Sequence, residues 1–222
     1  MTRLALFDLD HTLLSGDSDE LWCEFLIEQG HLARAVFEPG NRRMVARYRE
    51  GSVTPAEFCT FYVGTLAGQT PAGWQPLRER FLRDAVLPNL PDAARDLVEG
   101  HRQRGDLLLL TTATNRYIAE LTAAHLGIAH LIATEAELID GRFTGRTAGV
   151  PNMGEGKVAR LRAWLKENGL AEALLGEAVF YSDSANDLPL LRQVGQPVVV
   201  DPDEALRAVA EAAGWMVQRL RR

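Results

Sequence analysis

Asp8-Leu9-Asp10-His11-Thr12 brings two carboxylates and a hydroxyl to the end of a short apolar run, Leu4-Ala5-Leu6-Phe7. In extended chain, side chains two positions apart face the same way, so Asp8 and Asp10 are expected to project together while Leu9 points into the core. Two carboxylates held side by side repel, and one of them gives up its proton late unless a cation sits between them. A hard divalent ion with oxygen ligands meets that need, and Mg²⁺ suits a site shared with phosphate. The same residue types serve in turns, where aspartate hydrogen-bonds locally, and taken alone the segment fits both uses.

Three later segments bear on this choice. Residues 107–110 form an apolar run that ends at Thr111-Thr112. A hydroxyl at a strand tip ahead of a helix can donate to a phosphate oxygen beside the helix amides, or simply cap the helix. Lys157 follows Gly154-Glu155-Gly156 at the start of a helix expected to run to about Glu167. It could neutralise phosphate charge, or be a solvated lysine. A P-loop is excluded, because Pro151 stands where its first glycine belongs and Val158 where a Ser or Thr is required. In Tyr181-Ser182-Asp183-Ser184-Ala185-Asn186-Asp187, Asp183 sits at a strand tip and Asp187 one helical turn later, so both can face one crevice. The alternative is a capping aspartate with an unrelated acid nearby.

These tips need a scaffold. Runs at 4–7, 107–110, 178–181 and 198–200 each end in polar residues, and helical patterns follow at 115–126, closed by Gly127, and at 185–194, closed by Gly195. Strand, polar tip and helix in repetition indicate an α/β fold with a doubly wound parallel sheet. Ligands of such sheets bind beyond the carboxyl ends of the strands, which would gather Asp8, Thr112 and Asp183 at one crevice. Between 16 and 88 the pattern is helical: 19–28 presents Leu21, Trp22, Phe25 and Leu26 on one side, and Thr54-Pro55-Ala56-Glu57 reads as a helix start. The expected organisation is a core of residues 1–15 and 89–222 with a helical cap of residues 16–88. Residues 137–143 read as a hairpin turning at Asp140-Gly141.

The chain has 222 residues, 46% hydrophobic and 24% charged, the balance of an ordinary globular protein. A net charge of -6 argues against bulk nucleic-acid or anionic-membrane partners. Met1-Thr2-Arg3 leads directly into an apolar run soon broken by acids, unlike a signal peptide, and no segment is apolar for long enough to span a bilayer. A cytoplasmic protein is expected. Cys23 and Cys59 lie in apolar stretches and read as buried, reduced thiols, and Arg219, Arg221 and Arg222 as a solvated helix end.

Taken in order, Asp8-x-Asp10-x-Thr12, Thr112, Lys157 and Asp183-x-x-x-Asp187 resemble the four motifs of the haloacid dehalogenase superfamily. The helical segment between the first and second motifs resembles the C1 cap of its phosphoserine phosphatase-like branch, subfamily IB, on a Rossmann-like core. The likeness spans essentially the whole chain, with the first and fourth motifs specific and the other two not. It implies a Mg²⁺-dependent phosphatase that hydrolyses a small phosphomonoester through an aspartyl-phosphate intermediate. Asp8 would be the nucleophile, already ionised at neutral pH and needing only relief from repulsion by the phosphate. Asp10 would protonate the leaving alkoxide and then activate water, a contribution of ~10²- to 10⁴-fold. Dehalogenase members lack this second aspartate, so its presence favours a phosphate ester. The metal ligands implied are Asp8, the backbone carbonyl of Asp10, and Asp183. Thr112 and Lys157 would hold phosphoryl oxygens, and Asp187 would orient Lys157 or a water at the metal.

Substrate choice would belong to the cap. Phosphoserine phosphatases bind the substrate's amino and carboxylate groups with a cap glutamate and a cap arginine. By the resemblance Asp17 takes the glutamate's place and is a substrate-binding residue, whereas Thr60 falls at the arginine's position, where no bidentate clamp can form. Arg42, Arg43 and Arg47 read as a solvated helix face. Phosphoserine therefore stands beside histidinol phosphate and other amino-alcohol phosphates as a candidate, and phosphotransfer to an alcohol would use the same residues. A phosphorylatable signalling module fits worse, being shorter, without a cap and without the first-strand Asp-x-Asp. Ser182 replaces the glycine usual before the motif-four aspartate.

Overall fold

The computed structural model describes residues 3–220. Arg221 and Arg222, with Met1 and Thr2, lie outside the described residues. Among the described residues seven strands form one sheet: β1 Leu4–Phe7, β2 Leu107–Asn115, β3 His130–Ile139, β4 Arg142–Ala148, β5 Val179–Ser182, β6 Gln196–Val200 and β7 Met216–Gln218. Their order is β4-β3-β2-β1-β5-β6-β7, and every pairing is parallel except β3 with β4. The expected doubly wound α/β fold is the one observed. β1 lies at the centre between β2 and β5, and all four of its residues are buried, which is why its sequence is continuously apolar.

Among the described residues nine α-helices accompany the sheet: α1 Ser18–Glu28, α2 Arg34–Arg49, α3 Pro55–Val63, α4 Pro71–Phe81, α5 Asp92–Gln103, α6 Arg116–His125, α7 Glu155–Glu167, α8 Leu188–Leu191 and α9 Glu204–Ala213. The pleat sorts β1 between two cores. Ala5 and Phe7 pack with Val98 of α5 and Ile118 of α6, whereas Leu4 and Leu6 pack with Val158 and Leu161 of α7. Asp8 continues the parity of Leu4 and Leu6, so it leaves the sheet on the side of α7, the helix that carries Lys157.

Between β1 and α5 no strand occurs among the described residues. There α1 and α4 are joined by a ring cluster in which Trp22 meets Phe81 at 5.0 Å and Trp74 at 5.7 Å between centroids. Truncating a buried aromatic of this kind costs about 3–5 kcal/mol. α3 starts where expected, with Thr54 and Glu57 exchanging both bonds of a capping box. Cys23 and Cys59 are buried and unbridged, and no helix among the described residues is long and apolar enough to cross a membrane.

Some boundaries differ from expectation. β2 extends past Thr112 to Asn115, whose side chain then caps α6 by accepting from the Ile118 amide at 3.2 Å. The helix expected over 185–194 is a 3-10 turn, Ala185–Asp187, followed by the four residues of α8. The Gly195 amide bonds to the Leu175 carbonyl at 2.9 Å, and a Cβ on Gly195 would stand 1.9 Å from the Gly176 carbonyl oxygen, so the chain is drawn early into β6. Arg219 is exposed after β7 rather than at a helix end. At the β3–β4 hairpin Asp140 and Gly141 have φ of 51° and 75°, the paired positive values of a tight two-residue turn.

Candidate active site

The Asp8 amide donates to the Tyr181 carbonyl at 2.9 Å, which carries the β1–β5 ladder one residue beyond the strand. The chain then turns sharply. His11 has a positive φ of 55°, and its amide bonds to Gly16 at 2.9 Å. Strain of this kind in a non-glycine residue is tolerated where surrounding bonds enforce it. The turn returns Thr12 beneath Asp8, its hydroxyl 3.2 Å from Asp8 Oδ2 and 3.2 Å from Asp183 Oδ1, while the Asp183 amide donates to it at 3.1 Å.

Lys157 reaches Asp8 from α7. A Cβ at Gly156 would meet the Pro151 carbonyl oxygen at 2.2 Å, so glycine is required for the helix to start this close to the preceding loop. Lys157 Nζ donates to Asp8 Oδ1 at 3.0 Å and to Asp187 Oδ2 at 2.7 Å, and Ser182 Oγ donates to the same Asp187 oxygen at 2.7 Å. Burial alone would lower the lysine's pKa, but Asp187 and Asp8 outweigh it and hold the ammonium charged. Burial pushes the Asp8 carboxyl well above the usual range; Lys157 opposes this, while Asp187 and Asp10 add to it. One ammonium among this many carboxylates leaves the rim negative.

Asp10 has separate partners. Its Oδ1 accepts from the Ser18 amide at 2.7 Å and the Ser18 hydroxyl at 2.5 Å, and its Oδ2 from the Thr114 hydroxyl at 2.7 Å and the Thr112 hydroxyl at 3.1 Å. Thr112 is buried and bound to Asp10. Asp8 and Asp10 thus share the rim without sharing a partner, a finer division than alternation along a strand suggests.

Four residues of the site had not been singled out for roles. Ser18 and Thr114 hold Asp10, and Ser182 holds Asp187. Asn152 is fully buried: its side-chain amide donates to Thr111 Oγ1 at 3.0 Å and to the carbonyls of Thr112 at 2.9 Å and Ile132 at 3.0 Å. It ties the β2 and β3 tips to the loop that precedes Lys157.

The donor set fits Mg²⁺. The Thr12 hydroxyl has one hydrogen and two carboxylate oxygens within 3.2 Å, so it bridges only one of them at a time, and a cation would offset the repulsion left between the two acids. The Asp10 side chain is fully engaged, which leaves its backbone carbonyl as what it can offer a metal. No three His, Cys, Asp or Glu side chains among the described residues close on one point. Two carboxylates, a carbonyl, and otherwise water and phosphate make an all-oxygen set of the kind Mg²⁺ takes.

Beside this rim opens a cleft of about 370 Å³, lined by His11, Asp17, Glu20, Glu24, Phe37 and Glu38 among others. Asp17 is half-buried and caps α1 by accepting from the Glu20 amide at 3.0 Å. Burial first, and then Asp10, pushes its carboxyl up to about 8. Arg34 is paired with Glu24 and Glu38, Arg42 with Glu38, and Arg47 with Glu57. Thr60 points elsewhere, with its hydroxyl 3.4 Å from that of Thr147 on β4. The structure therefore gathers Asp8, Asp10, Thr112, Lys157, Asp183 and Asp187 at the carboxyl ends of the central strands, places Asp17 beside them, and leaves Thr60 outside the cleft lining.

Residues 5–192 match the model of the haloacid dehalogenase-like hydrolase family. The chain is 38% identical over 218 residues to a histidinol-phosphatase of Neisseria meningitidis, covering 98% of each. It is 31% identical over 224 residues to a phosphoserine phosphatase of Mycobacterium tuberculosis, covering 100% of this chain and 72% of the relative. Among solved structures, a Bordetella pertussis protein of unknown function superposes with a TM-score of 0.92 at 44% identity, complete in both chains. A substrate-bound phosphoserine phosphatase superposes at 0.68 with 17% identity over 100% of this chain and 94% of the other, a likeness of fold.

Proposed function

Because the chain belongs to the haloacid dehalogenase-like hydrolase family and is a phosphoric monoester hydrolase, we propose that Asp8 takes the phosphoryl group covalently from the phosphate ester of a small amino alcohol lacking a carboxylate. Histidinol phosphate is the first candidate. The observation that carries the substrate assignment is the cleft: four carboxylates, Asp17, Glu20, Glu24 and Glu38, line it, and Arg34, which pairs with two of them, is not part of its lining. An amine is welcome there. The carboxylate of phosphoserine would meet like charge, a juxtaposition that costs several kcal/mol. The relative named a histidinol-phosphatase, at 38% identity over nearly all of both chains, supports the same reading.

In the proposed cycle an Asp8 oxygen bonds to phosphorus as the ester P–O bond breaks. The electron pair stays on the departing oxygen, which takes the proton of Asp10. Water then attacks the aspartyl phosphate, Asp10 receives its proton, and Asp8 is released as a carboxylate. Lys157, held by Asp187 and Ser182, faces the nucleophile and balances charge gathering on the phosphoryl oxygens. Thr112 is the second phosphate-facing residue, turning its hydroxyl from Asp10 to a phosphoryl oxygen. Asp8, Asp183 and the Asp10 carbonyl would hold Mg²⁺, which supplies the positive charge that lets a carboxylate approach a phosphate. Residues 16–88 serve as a cap on the core of 1–15 and 89–222, presenting Asp17 to the amine.

A phosphomonoester panel with Mg²⁺ or EDTA tests this, with Asp8→Asn as the blank. Like-charge exclusion predicts kcat/KM for histidinol phosphate at least about 100-fold above that for phosphoserine. Equal rates on the two would overturn the substrate assignment, and activity in Asp8→Asn would overturn the nucleophile.

A further inference from the structure

Asp10 accepts four hydrogen bonds, as many as a carboxylate has lone-pair positions. The donors come from far along the chain. Ser18 is the first residue of α1 in the helical segment, and Thr112 and Thr114 lie on β2. Ser18 and Thr114 are both buried, and their hydroxyl oxygens are 3.0 Å apart. That last contact makes the hydrogens countable.

Among themselves and Asp10, Ser18, Thr112 and Thr114 bring three hydroxyl hydrogens to four oxygen–oxygen contacts, and the buried Asp19 carboxyl bonds to Thr114 from the other side. With Asp10 ionised, all three hydrogens point at its carboxylate and the Ser18–Thr114 contact has none. When Thr112 turns to a phosphoryl oxygen, Ser18 still holds Oδ1 through its amide and hydroxyl and Thr114 still holds Oδ2, so the carboxyl group keeps its place and the position Thr112 leaves on Oδ2 opens toward the departing oxygen.

We propose that Ser18 and Thr114 are positioning residues for Asp10, fixing its carboxyl group in one place when Thr112 is drawn to the substrate. Through Ser18, Asp10 is correctly placed only while α1 is docked on β2. The inference rests on the reading of Asp10 as the acid and base of the cycle.

The test compares 2-aminoethyl phosphate, whose alkoxide needs a proton to leave, with p-nitrophenyl phosphate, whose phenolate does not. The readout is kcat/KM, which counts steps only through departure of the alcohol. Ser18→Ala removes one hydroxyl and keeps the amide; Thr114→Val keeps the shape. Each should lower kcat/KM on the alkyl ester by about 10-fold or more through misplacement of the acid, and on the aryl ester by less than about 3-fold. Ser18→Thr and Thr114→Ser, which restore a hydroxyl, should recover most of the loss. Asp10→Asn is the reference and should separate the substrates by about 10²-fold or more. If Asp10→Asn separates them while Ser18→Ala and Thr114→Val lower both equally, or neither, the positioning role is wrong and the acid–base reading stands. If Asp10→Asn does not separate them, that reading fails and takes this inference with it. Should Ser18→Ala fold poorly, the Thr114 pair carries the same comparison.

Discussion

Replacing Lys157 with methionine would strand two carboxylates inside the protein. The ammonium lies 3.0 Å from Asp8 and 2.7 Å from Asp187, and the three residues are 2%, 6% and 3% exposed, respectively. At an effective dielectric of about 20, each contact supplies roughly 6 kcal/mol of gross attraction. Most of that is spent against the desolvation of three charges, so the intact triad adds little net stability. Removing only the cation is different, because the burial cost and repulsion of the acids remain; a loss of about 3–5 kcal/mol follows. The loss depends on pH. With Lys157 gone, nothing opposes the burial that already raises Asp8, so the folded state binds more protons than the unfolded one and stability falls as pH rises. Urea unfolding of wild type, Lys157→Met, Asp187→Asn and the double variant, in EDTA at pH 5 and pH 8, measures this. The deficit of Lys157→Met should be largest at pH 8, and the double variant should cost less than the two singles summed, by about 1–3 kcal/mol. A Lys157→Met protein within about 1 kcal/mol of wild type at pH 8, or strict additivity, would refute the charge balance described here.

Asp17→Asn keeps the helix cap and removes the charge, so KM for 2-aminoethyl phosphate should rise about 10- to 100-fold with p-nitrophenyl phosphate little changed. Because the Asp17 carboxyl stands at about 8, the wild-type KM for the amine ester should fall between pH 7 and 9, and that trend should vanish in Asp17→Asn; its persistence would remove Asp17 from amine recognition. Ser182→Ala deletes a 2.7 Å bond onto a buried carboxylate and should cost about 1.5–3 kcal/mol by urea unfolding, a value near zero showing that Asp187 does not depend on it. Millimolar MgCl₂ should raise the wild-type melting temperature saturably by binding the folded state alone, and Asp183→Asn should abolish the rise. An equal rise in Asp183→Asn would place the ion elsewhere.

The residues at the strand tips were legible in sequence because four apolar runs ending in polar residues recur in order, whereas the side of the sheet on which Asp8 leaves became clear only from the packing of Leu4 and Leu6 on α7. The pairing of Lys157 with Asp187 was legible only through the family resemblance, as one of two roles for Asp187, since the distance between them is set by two helix starts. Thr114 had a signal, standing two residues from Thr112 on one strand. Ser18 had none: its value comes from meeting Asp10 and β2 at a junction that folding creates. Asn152 was hidden in the same way, its three acceptors lying on β2 and β3. The overlong helix at 185–194 has a physical cause. Leu190, Leu191 and Val194 are all buried, so the apolar pattern continues after the helix has ended, and Gly195 marks entry into β6 as much as a helix stop.

Covalent capture at Asp8 is the most direct test of the nucleophile. Enzyme turning over a phosphomonoester with Mg²⁺ is quenched and treated with borohydride, which reduces an aspartyl phosphate to homoserine, and the peptide containing residue 8 is weighed. Homoserine should appear at position 8 alone, and only when substrate and Mg²⁺ are both present. Steady phosphate release with an unmodified Asp8 would contradict it.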